Sequence, residues 1–492
     1  MRARQATALA AVIGVLSIPG LLGQFRMPLN GDSAYVLDVA RRMVSGSVLY
    51  RDIIDMNPPF IFWASMPFAA LGLDGPTTLA VFKVATIVVV LAMLAAAWPH
   101  ARNAPPLWAG ILLMALVLPG GYFGQREHFL LALIFPYVAV AAARADGAMP
   151  GRVAAIAAGV LAAFGIALKP TAVIAPTLVV LQQCRWARSW RPIVAPEHVA
   201  LAAGTLVAVA AVLLLAPGYP SVVAAIEGPY REFNRESLGA LLGRDIHMWS
   251  VWLALAAAAL FGRTLAPRRR VTLEVLLMLG LFASAVLQGK GFGYHYFPAL
   301  AMAVVVLLEL GLGTALPDRL GMPRRVASFM FLIPIVWLFG AVMWRRAGGV
   351  VNQARVDQAT VDSLIGAEPT RVAILSARML DAYPLVPVRG HRMVLSYPQL
   401  WAAAVPAGRP GTAAIRRRYG EDIAGGKPVA IVVRAPAAEQ RASGDLDVNY
   451  LDYLCTDAVA RRALSNYRLA DRAGGFDLYR LDAIGPQACV SS

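Results

Sequence analysis

Residues 31–60 read GDSAYVLDVARRMVSGSVLYRDIIDMNPPF, and this polar segment lies between two strongly apolar stretches of the chain. It contains four aspartates and three arginines. Ionisable side chains are costly inside a bilayer unless they are paired or functional. If the flanking stretches cross a membrane, the segment must lie outside the hydrocarbon core. Its polar side chains are then candidates for a functional site.

The composition of the whole chain indicates a membrane protein. Of its 492 residues, 58% are hydrophobic and only 15% are charged, which exceeds the apolar share of ordinary soluble domains. Apolar runs of about 20 residues, the length that crosses a bilayer, recur from residue 6 to about residue 344. The sequence therefore predicts a polytopic α-helical membrane domain over residues 1–345 and a soluble domain over residues 346–492.

We expect about eleven transmembrane helices, because polar or Pro/Gly-containing loops separate that many apolar runs. The first run has a basic start but no small-residue cleavage site before Phe25, so we interpret it as a retained signal anchor. The approximate limits of the runs are 6–25, 78–98, 107–122, 127–145, 152–168, 170–186, 197–217, 247–266, 271–288, 297–316 and 326–344.

The charges of the loops predict the orientation. With a cytoplasmic N-terminus, every cytoplasmic loop carries a positive excess, as the positive-inside rule requires. An odd number of spans then places residues 346–492 on the periplasmic or extracellular face, and we expect a bacterial inner (plasma) membrane. The net charge of +16 is scattered over short loops, so we expect membrane lipids and no nucleic acid as partners.

The first outward loop, residues 26–77, is long enough to hold two short helices. Residues 59–73 are apolar but too short to cross comfortably, which favours a helix along the outer membrane surface. Residues 33–45 fit a second, amphipathic helix. Its polar side carries Asp38, Arg41 and Arg42, which we expect to face water.

Asp32 is the candidate catalytic residue of this loop. A carboxylate at the water–lipid boundary can act as a general base on an acceptor hydroxyl. The alternative is helix capping, because an Asp or Ser before a helix accepts backbone N–H bonds. Ser33 could also serve as that cap.

Basic and aromatic motifs on the other outward loops are candidates for binding an anionic substrate, because polar residues that converge from several helices near a membrane mark a site. The alternatives are a surface ion pair for Arg126 and Glu127, snorkelling for Lys169, an interfacial aromatic belt for the tyrosines, and a solvated helix face for Tyr230 and Arg231. The candidates for donor phosphate or substrate binding are Arg126, Glu127, His128, Lys169, Lys290, Tyr294 and His295. Weaker candidates for the acceptor side are Tyr50, Arg51, Asp52, Asp55, Tyr230 and Arg231.

Motifs of several other enzyme classes are missing. The six histidines show no metal-ligand spacing, and the chain contains no HExxH, GxSxG or Walker P-loop. Hydrolase and ATPase functions therefore lose support.

The order of the motifs resembles a known family. GDSAY after the first span, a YRD…NPPF phrase before an apolar surface helix, Glu127 at the start of a span, Lys169-Pro170 and a late YHYFPAL resemble the membrane glycosyltransferases of the GT-C fold. That group includes protein O-mannosyltransferases and the aminoarabinose transferases of lipid A.

The resemblance implies a polyprenyl-phosphate-linked sugar donor and transfer to a glycan, lipid or protein acceptor outside the cytoplasm. It implies Asp32 as the base of a single inverting displacement, with nearby cations stabilising the phosphate leaving group. The family's frequent acidic pair is Asp-Ser here, so use of a divalent cation, Mg or Mn, stays open.

Residues 346–492 read as a soluble α/β domain. Strands are predicted at 371–377, 392–397, 428–435 and 475–481, and helices at 412–423 and 450–467. An oxidising location makes Cys455 and Cys489 candidates for a disulfide, whereas Cys184 at a cytoplasmic span end stays free.

Two other functions compete with glycosyl transfer. A transporter or flippase of a lipid-linked molecule would place ionisable residues near mid-bilayer. Lys83, Glu274 and Glu309 are the candidates, and we expect all three towards span ends, where snorkelling suffices. The third alternative is a non-catalytic assembly or binding protein with the same fold.

Overall fold

The computed structural model describes residues 18, 21–26, 28–101, 111, 119–243, 246–261, 268–312, 350–397, 399–405, 409–435 and 448–489. They fall into two compact units. The first unit contains the described residues of the ranges 1–28, 82–211 and 235–347. The second unit contains those of the ranges 29–81, 212–234 and 348–492. Most of the predicted runs 6–25 and 107–122, and all of 326–344, lie outside the described residues.

Helices make up most of the described chain before residue 313. Each predicted apolar run inside the described residues coincides with one helix, although run 170–186 begins with a 3₁₀ turn over Pro170–Val173. The helices are α1 (Gly31–Val44), α2 (Phe60–Ala70), α3 (Gly75–Ala101), α4 (Arg126–Ala145), α5 (Arg152–Leu168), α6 (Ile174–Ala187), α7 (Pro196–Leu215), α8 (Gly218–Glu232), α9 (Leu238–Gly243), α10 (Ile246–Phe261), α11 (Arg268–Leu287) and α12 (Gly293–Leu312).

Five described helices, α3, α4, α7, α11 and α12, are long and apolar enough to cross a membrane. Helices α2 and α5 and part of α10 are apolar but shorter. The described residues therefore form a mainly helical membrane protein, and the total of about eleven spans stays a prediction.

The core of the first unit lies between α4 and helices α5, α11 and α12. Small residues let the backbones approach, as is usual between helices in membranes. A Cβ on Gly280 of α11 would lie 2.3 Å from the Cα of Ala175 on α6, and a Cβ on Gly159 of α5 would lie 2.3 Å from the carbonyl oxygen of Glu197 on α7. Larger residues at these two glycines would force the helices apart.

The second unit contains a five-stranded sheet in the order β2-β1-β3-β5-β4. Strand β1 is parallel to β2 and β3, whereas β5 is antiparallel to β3 and β4. The strands are β1 (Arg371–Leu375), β2 (Arg392–Met393), β3 (Ala430–Arg434), β4 (Arg468–Ala473) and β5 (Phe476–Arg480), and the accompanying helices are α13 (Val350–Ile365), α14 (Leu385–Arg389), α15 (Thr412–Gly426), α16 (Tyr450–Cys455) and α17 (Ala458–Leu464).

The four predicted strands overlap β1, β2, β3 and β5, although β2 covers only two of the six residues predicted at 392–397, and β4 is an addition. The predicted helix 450–467 is two helices, because Asp457 accepts hydrogen bonds from the N–H groups of Val459 and Ala460 and starts α17 as its N-cap. The sulfurs of Cys455 and Cys489 are bonded in the structure.

The expectation that the polar side of α1 faces water was wrong for Asp38. This carboxylate is 1% exposed and accepts hydrogen bonds from Arg41 at 2.7 Å and from Tyr383 at 3.3 Å. Arg41 and Arg42 donate to the backbone carbonyls of His391 and Leu395. The polar side of α1 therefore packs onto the segment that contains α14 and β2.

Candidate functional site

A buried ion pair lies in the first unit between the start of α4 and the end of α5. The Nζ atom of Lys169 donates to Oε1 of Glu127 at 2.5 Å, and the two side chains are 8% and 2% exposed. The expected alternatives of a surface ion pair and a snorkelling lysine are therefore wrong for these two residues. A buried pair carries more weight as evidence of a site than an exposed one.

Local sequence explains where both charges lie. Gly124 adopts a φ of +79°, and Gln125 is the N-cap of α4, so Glu127 falls in the first turn, where the helix dipole favours a carboxylate. Lys169 precedes a proline, which disfavours the helical conformation for the residue before it. It accordingly ends α5 with a φ of −143°.

Two further predicted residues are buried in the same unit. Nε2 of His295, near the start of α12, lies 3.9 Å from the same Oε1 atom of Glu127. Lys290 is 5% exposed and lies between Gly289 and Gly291, which both have positive φ. A Cβ on Gly291 would lie 2.8 Å from Cγ of Glu236, so the loop needs a glycine there.

The remaining predicted residues of the first unit surround this pair. His128 is fully buried, and its Nδ1 accepts the N–H of Gly124, so the ring shapes the turn before α4. The half-buried Tyr294 lies against His295, with ring centroids 4.4 Å apart. Arg126 is the first residue of α4 and is half-buried.

The three ionisable residues that we expected towards span ends are buried inside the protein. Lys83 is 7% exposed and its Nζ donates to the carbonyl of Gln24 at 2.8 Å. Glu274 and Glu309 are 0% and 1% exposed, and Arg270 bonds Glu309 at 3.0 Å. Snorkelling therefore does not describe any of the three. The ring of Phe82, the residue before Lys83, contacts the ring of Phe129 on α4. The sequence alone did not indicate that Lys83, Glu274 and Glu309 are buried.

Asp32 belongs to the second unit. The side chain of Asn30 accepts the N–H of Asp32 at 2.8 Å and caps α1, so neither Asp32 nor Ser33 is the N-cap. Asp32 lies in the first turn and is half-buried. The capping role that competed with catalysis is thus filled by another residue, and the role of Asp32 as a base stays a prediction.

The predicted acceptor-side residues make the contacts of a folded loop. Asp55 accepts from the hydroxyl of Tyr35 at 3.0 Å and from the N–H of Asn57 at 2.6 Å. Tyr50, with a φ of +68°, donates to the carbonyl of Asn57 at 2.6 Å. Burial, and then the charge of Asp55, raises the pKa of Tyr35 well above its usual value, which keeps its phenol a donor.

The other four acceptor-side candidates lie at or near the surface. Arg51 donates a hydrogen bond to Asp52 at 3.0 Å. This bond is the largest cause of the lowered pKa of Asp52. Arg231 is paired with Glu227 one turn away on α8. The ring of Tyr230 lies 5.4 Å from that of Trp401.

The described residues contain no group of three or more His, Cys, Asp or Glu side chains that could hold a metal ion. Glu127 faces an ammonium group rather than a second carboxylate. A single carboxylate can hold Mg only together with substrate phosphate oxygens and water, so the use of a divalent cation, Mg or Mn, stays a prediction.

Comparison with solved structures identifies the fold of the chain. No family model and no curated protein matches the chain. The chain is similar to ArnT from Cupriavidus metallidurans bound to undecaprenyl phosphate, at 14% identity with a TM-score of 0.57 over 100% of both chains. The apo state of that ArnT gives a TM-score of 0.56 at 14% identity, covering 99% of this chain and 100% of ArnT. The chain has the fold of ArnT, a GT-C membrane glycosyltransferase, as the motifs of its sequence predict.

Proposed function

We propose that the chain is an integral membrane glycosyltransferase that moves a sugar from a polyprenyl-phosphate donor to an acceptor on the outer, periplasmic side. One observation carries the proposal, namely the buried pair of Lys169 and Glu127 in a fold that, in ArnT, binds undecaprenyl phosphate. An apolar helical bundle with buried cations suits a lipid whose tail is apolar and whose head is anionic.

The leaving group explains why several cations are needed. When the bond between the anomeric carbon and the phosphate oxygen breaks, the pair of electrons stays on that oxygen and its negative charge grows. Lys169, Lys290 and Arg126 would stabilise that charge, and burial makes the interactions of the two lysines stronger than they are in water. Glu127 would hold Lys169 in place until the phosphate arrives.

Asp32 would act as the general base. The acceptor hydroxyl attacks the anomeric carbon, its proton passes to the carboxylate of Asp32, and the polyprenyl phosphate leaves from the opposite face. A single displacement of this kind inverts the anomeric configuration. No step requires a metal ion. The acceptor is a glycan, a lipid or a protein. The chain lies in a bacterial inner membrane with its N-terminus in the cytoplasm.

A transfer assay tests the proposal. The full chain in proteoliposomes is incubated with a panel of undecaprenyl-phosphate sugars and membrane extract as acceptor. We expect transfer by the wild type and a loss of about 10²–10⁴-fold for Asp32→Asn. Asp74→Asn is the matched control, because Asp74 is an exposed cap in the same loop and Asn still caps.

Two results would contradict the proposal. Undiminished transfer by Asp32→Asn would remove this residue from the base role. Translocation of a fluorescent polyprenyl-phosphate lipid across the vesicle membrane, with no transfer from any donor, would favour a flippase instead.

A further inference from the structure

The turn that connects α6 to α7 is an exposed basic segment at one end of the membrane helices. Its residues 185–194 read RWARSWRPIV. Helix α7 is long and apolar enough to cross a membrane, and it begins at Pro196, two residues after this segment. Val199 in the first turn of α7 is 49% exposed, as a residue that faces lipid is. Because the segment directly precedes a span, it lies at the level of the lipid headgroups.

The exposed charge of this turn is entirely positive. Arg185, Arg188 and Arg191 are exposed, and none of them forms an ion pair within the part of the chain that the structure describes. Glu197 is the only acidic residue between positions 181 and 199. It is fully buried and accepts two hydrogen bonds from Arg144, at 2.6 and 2.9 Å. Three guanidinium groups can therefore bind an anion at this surface.

Apolar side chains are exposed beside these arginines. Trp190, Ile193 and Val194 are 68%, 43% and 70% exposed. They come from one short turn, in which the N–H of Ile193 donates to the carbonyl of Trp190 at 3.0 Å. Exposed tryptophan and aliphatic side chains next to arginines are typical of segments that lie in the membrane interface. A free phosphate ion would make no use of them, whereas a lipid has glycerol and acyl groups that they can contact.

Arg188 occupies a backbone position that suits glycine. It follows the last residue of α6 in the left-handed conformation, with a φ of +47° and a ψ of +37°, which is disfavoured for a residue with a Cβ. A loop that only sets the orientation of the chain needs positive charge, and Arg185 and Arg191 would still supply it if position 188 were glycine. An arginine at this strained position indicates that its side chain is used.

We propose that residues 185–194 bind the phosphodiester headgroup of an anionic phospholipid. Guanidinium groups bind phosphate oxygens in pairs of parallel hydrogen bonds, and clusters of arginines beside membrane spans attract anionic lipids. The exposed apolar side chains contact the glycerol and the adjoining part of the acyl chains. The orientation predicted from the loop charges puts this site in the cytoplasmic leaflet.

The phospholipid site is separate from the proposed donor site. Lys169 precedes α6 and the turn follows it, so the 14 residues of this helix separate them by about 20 Å. Binding of the phospholipid therefore does not depend on glycosyl transfer.

Native mass spectrometry of the full chain in mild detergent tests the site. The chain is titrated with phosphatidylglycerol or with phosphatidylcholine of the same acyl chains. We expect the wild type to bind phosphatidylglycerol about tenfold more tightly or better, and the loss of three charges should reduce this preference to about threefold or less. The test variant carries the changes Arg185→Gln, Arg188→Gln and Arg191→Gln. The matched control removes the same charge from exposed arginines of the second unit, through Arg392→Gln, Arg417→Gln and Arg462→Gln, and should keep the preference.

Arg188→Gly separates lipid binding from a structural role. Because glycine is favoured at this φ, the variant should unfold at the same temperature as the wild type or a higher one. It should nevertheless bind phosphatidylglycerol about threefold more weakly.

Four results would overturn the proposal. They are equal affinity of the wild type for the two lipids, a preference that survives in the triple variant, unchanged binding by Arg188→Gly, and release of phosphatidylglycerol by excess inorganic phosphate. The last comparison uses chloride at the same ionic strength, because salt alone screens exposed charges. Release by phosphate but not by chloride would mean that the turn binds free phosphate rather than a lipid.

Discussion

Replacing Lys169 by methionine should destabilise the protein strongly. The Nζ atom of Lys169 is 2.5 Å from Oε1 of Glu127, with side-chain exposures of 8% and 2%, so both charges are largely shielded from water and are compensated by each other. The other carboxylate oxygen, Oε2, already has no hydrogen-bond partner among the described residues. Removing one partner of a buried pair typically costs about 3–5 kcal/mol, and we expect a loss in that range.

The free energy of unfolding can be measured by titrating the full chain from mild detergent into SDS and following tryptophan fluorescence. Lys427→Met is the matched control, because Lys427 is exposed and Lys and Met, which both carry a Cβ, bear the same strain at its φ of +42°; the change should cost about 0.5 kcal/mol or less. The double variant Lys169→Met with Glu127→Gln removes both charges. Its loss in the free energy of unfolding should be about 2–3 kcal/mol smaller than the summed losses of the two single variants, because the two residues interact directly.

A loss for Lys169→Met no larger than that for Lys427→Met would contradict this prediction. Simple addition of the effects of Lys169→Met and Glu127→Gln would contradict it too, since additivity would mean that the ammonium and carboxylate groups do not stabilise each other.

Three other changes test the fold of the second unit. Cys455→Ser should lower the free energy of unfolding by about 3–4 kcal/mol under oxidising conditions, because its bond to Cys489 closes a loop with a sequence separation of 34; dithiothreitol should have the same effect on the wild type and none on the variant. Asn30→Ala should cost about 1 kcal/mol through loss of the cap of α1, measured by chemical denaturation, and an unchanged midpoint would show that the cap is dispensable. Gly75→Ala should cost about 1–3 kcal/mol, because the new Cβ would lie 1.8 Å from the carbonyl oxygen of Pro387; a melting temperature equal to that of the wild type would show that this approach is not tight.

Hydrophobic length and motif order predicted the helical membrane fold well. The helices over 78–98, 127–145 and 271–288 lie where the apolar runs lie, because a bilayer-length run has few alternatives to a helix. Glu127 and Lys169 were recognised from the residues around them. Their direct pairing was not, because residues 42 positions apart meet only through the packing of α4 and α5.

Tertiary contacts explain most of the errors. We expected Asp38 to face water because the sequence of a single helix does not show what packs against its polar side. In the structure this side of α1 packs against His391 and Tyr383. Strand β4 was missed because three of its six residues are charged and most of them are exposed, as suits an edge strand. The hairpin signal was the pair Gly474 and Gly475, both with positive φ, which favour a two-residue turn between strands.

The location of bound polyprenyl phosphate decides whether the buried pair of Lys169 and Glu127 belongs to the donor site. A cryo-electron-microscopy map of the wild-type chain with undecaprenyl phosphate would be compared with a map of the chain alone. We predict phosphate density within hydrogen-bond distance of Nζ of Lys169, with Lys290 or Arg126 as a second contact. Phosphate density elsewhere, with Lys169 still bonded only to Glu127, would contradict it.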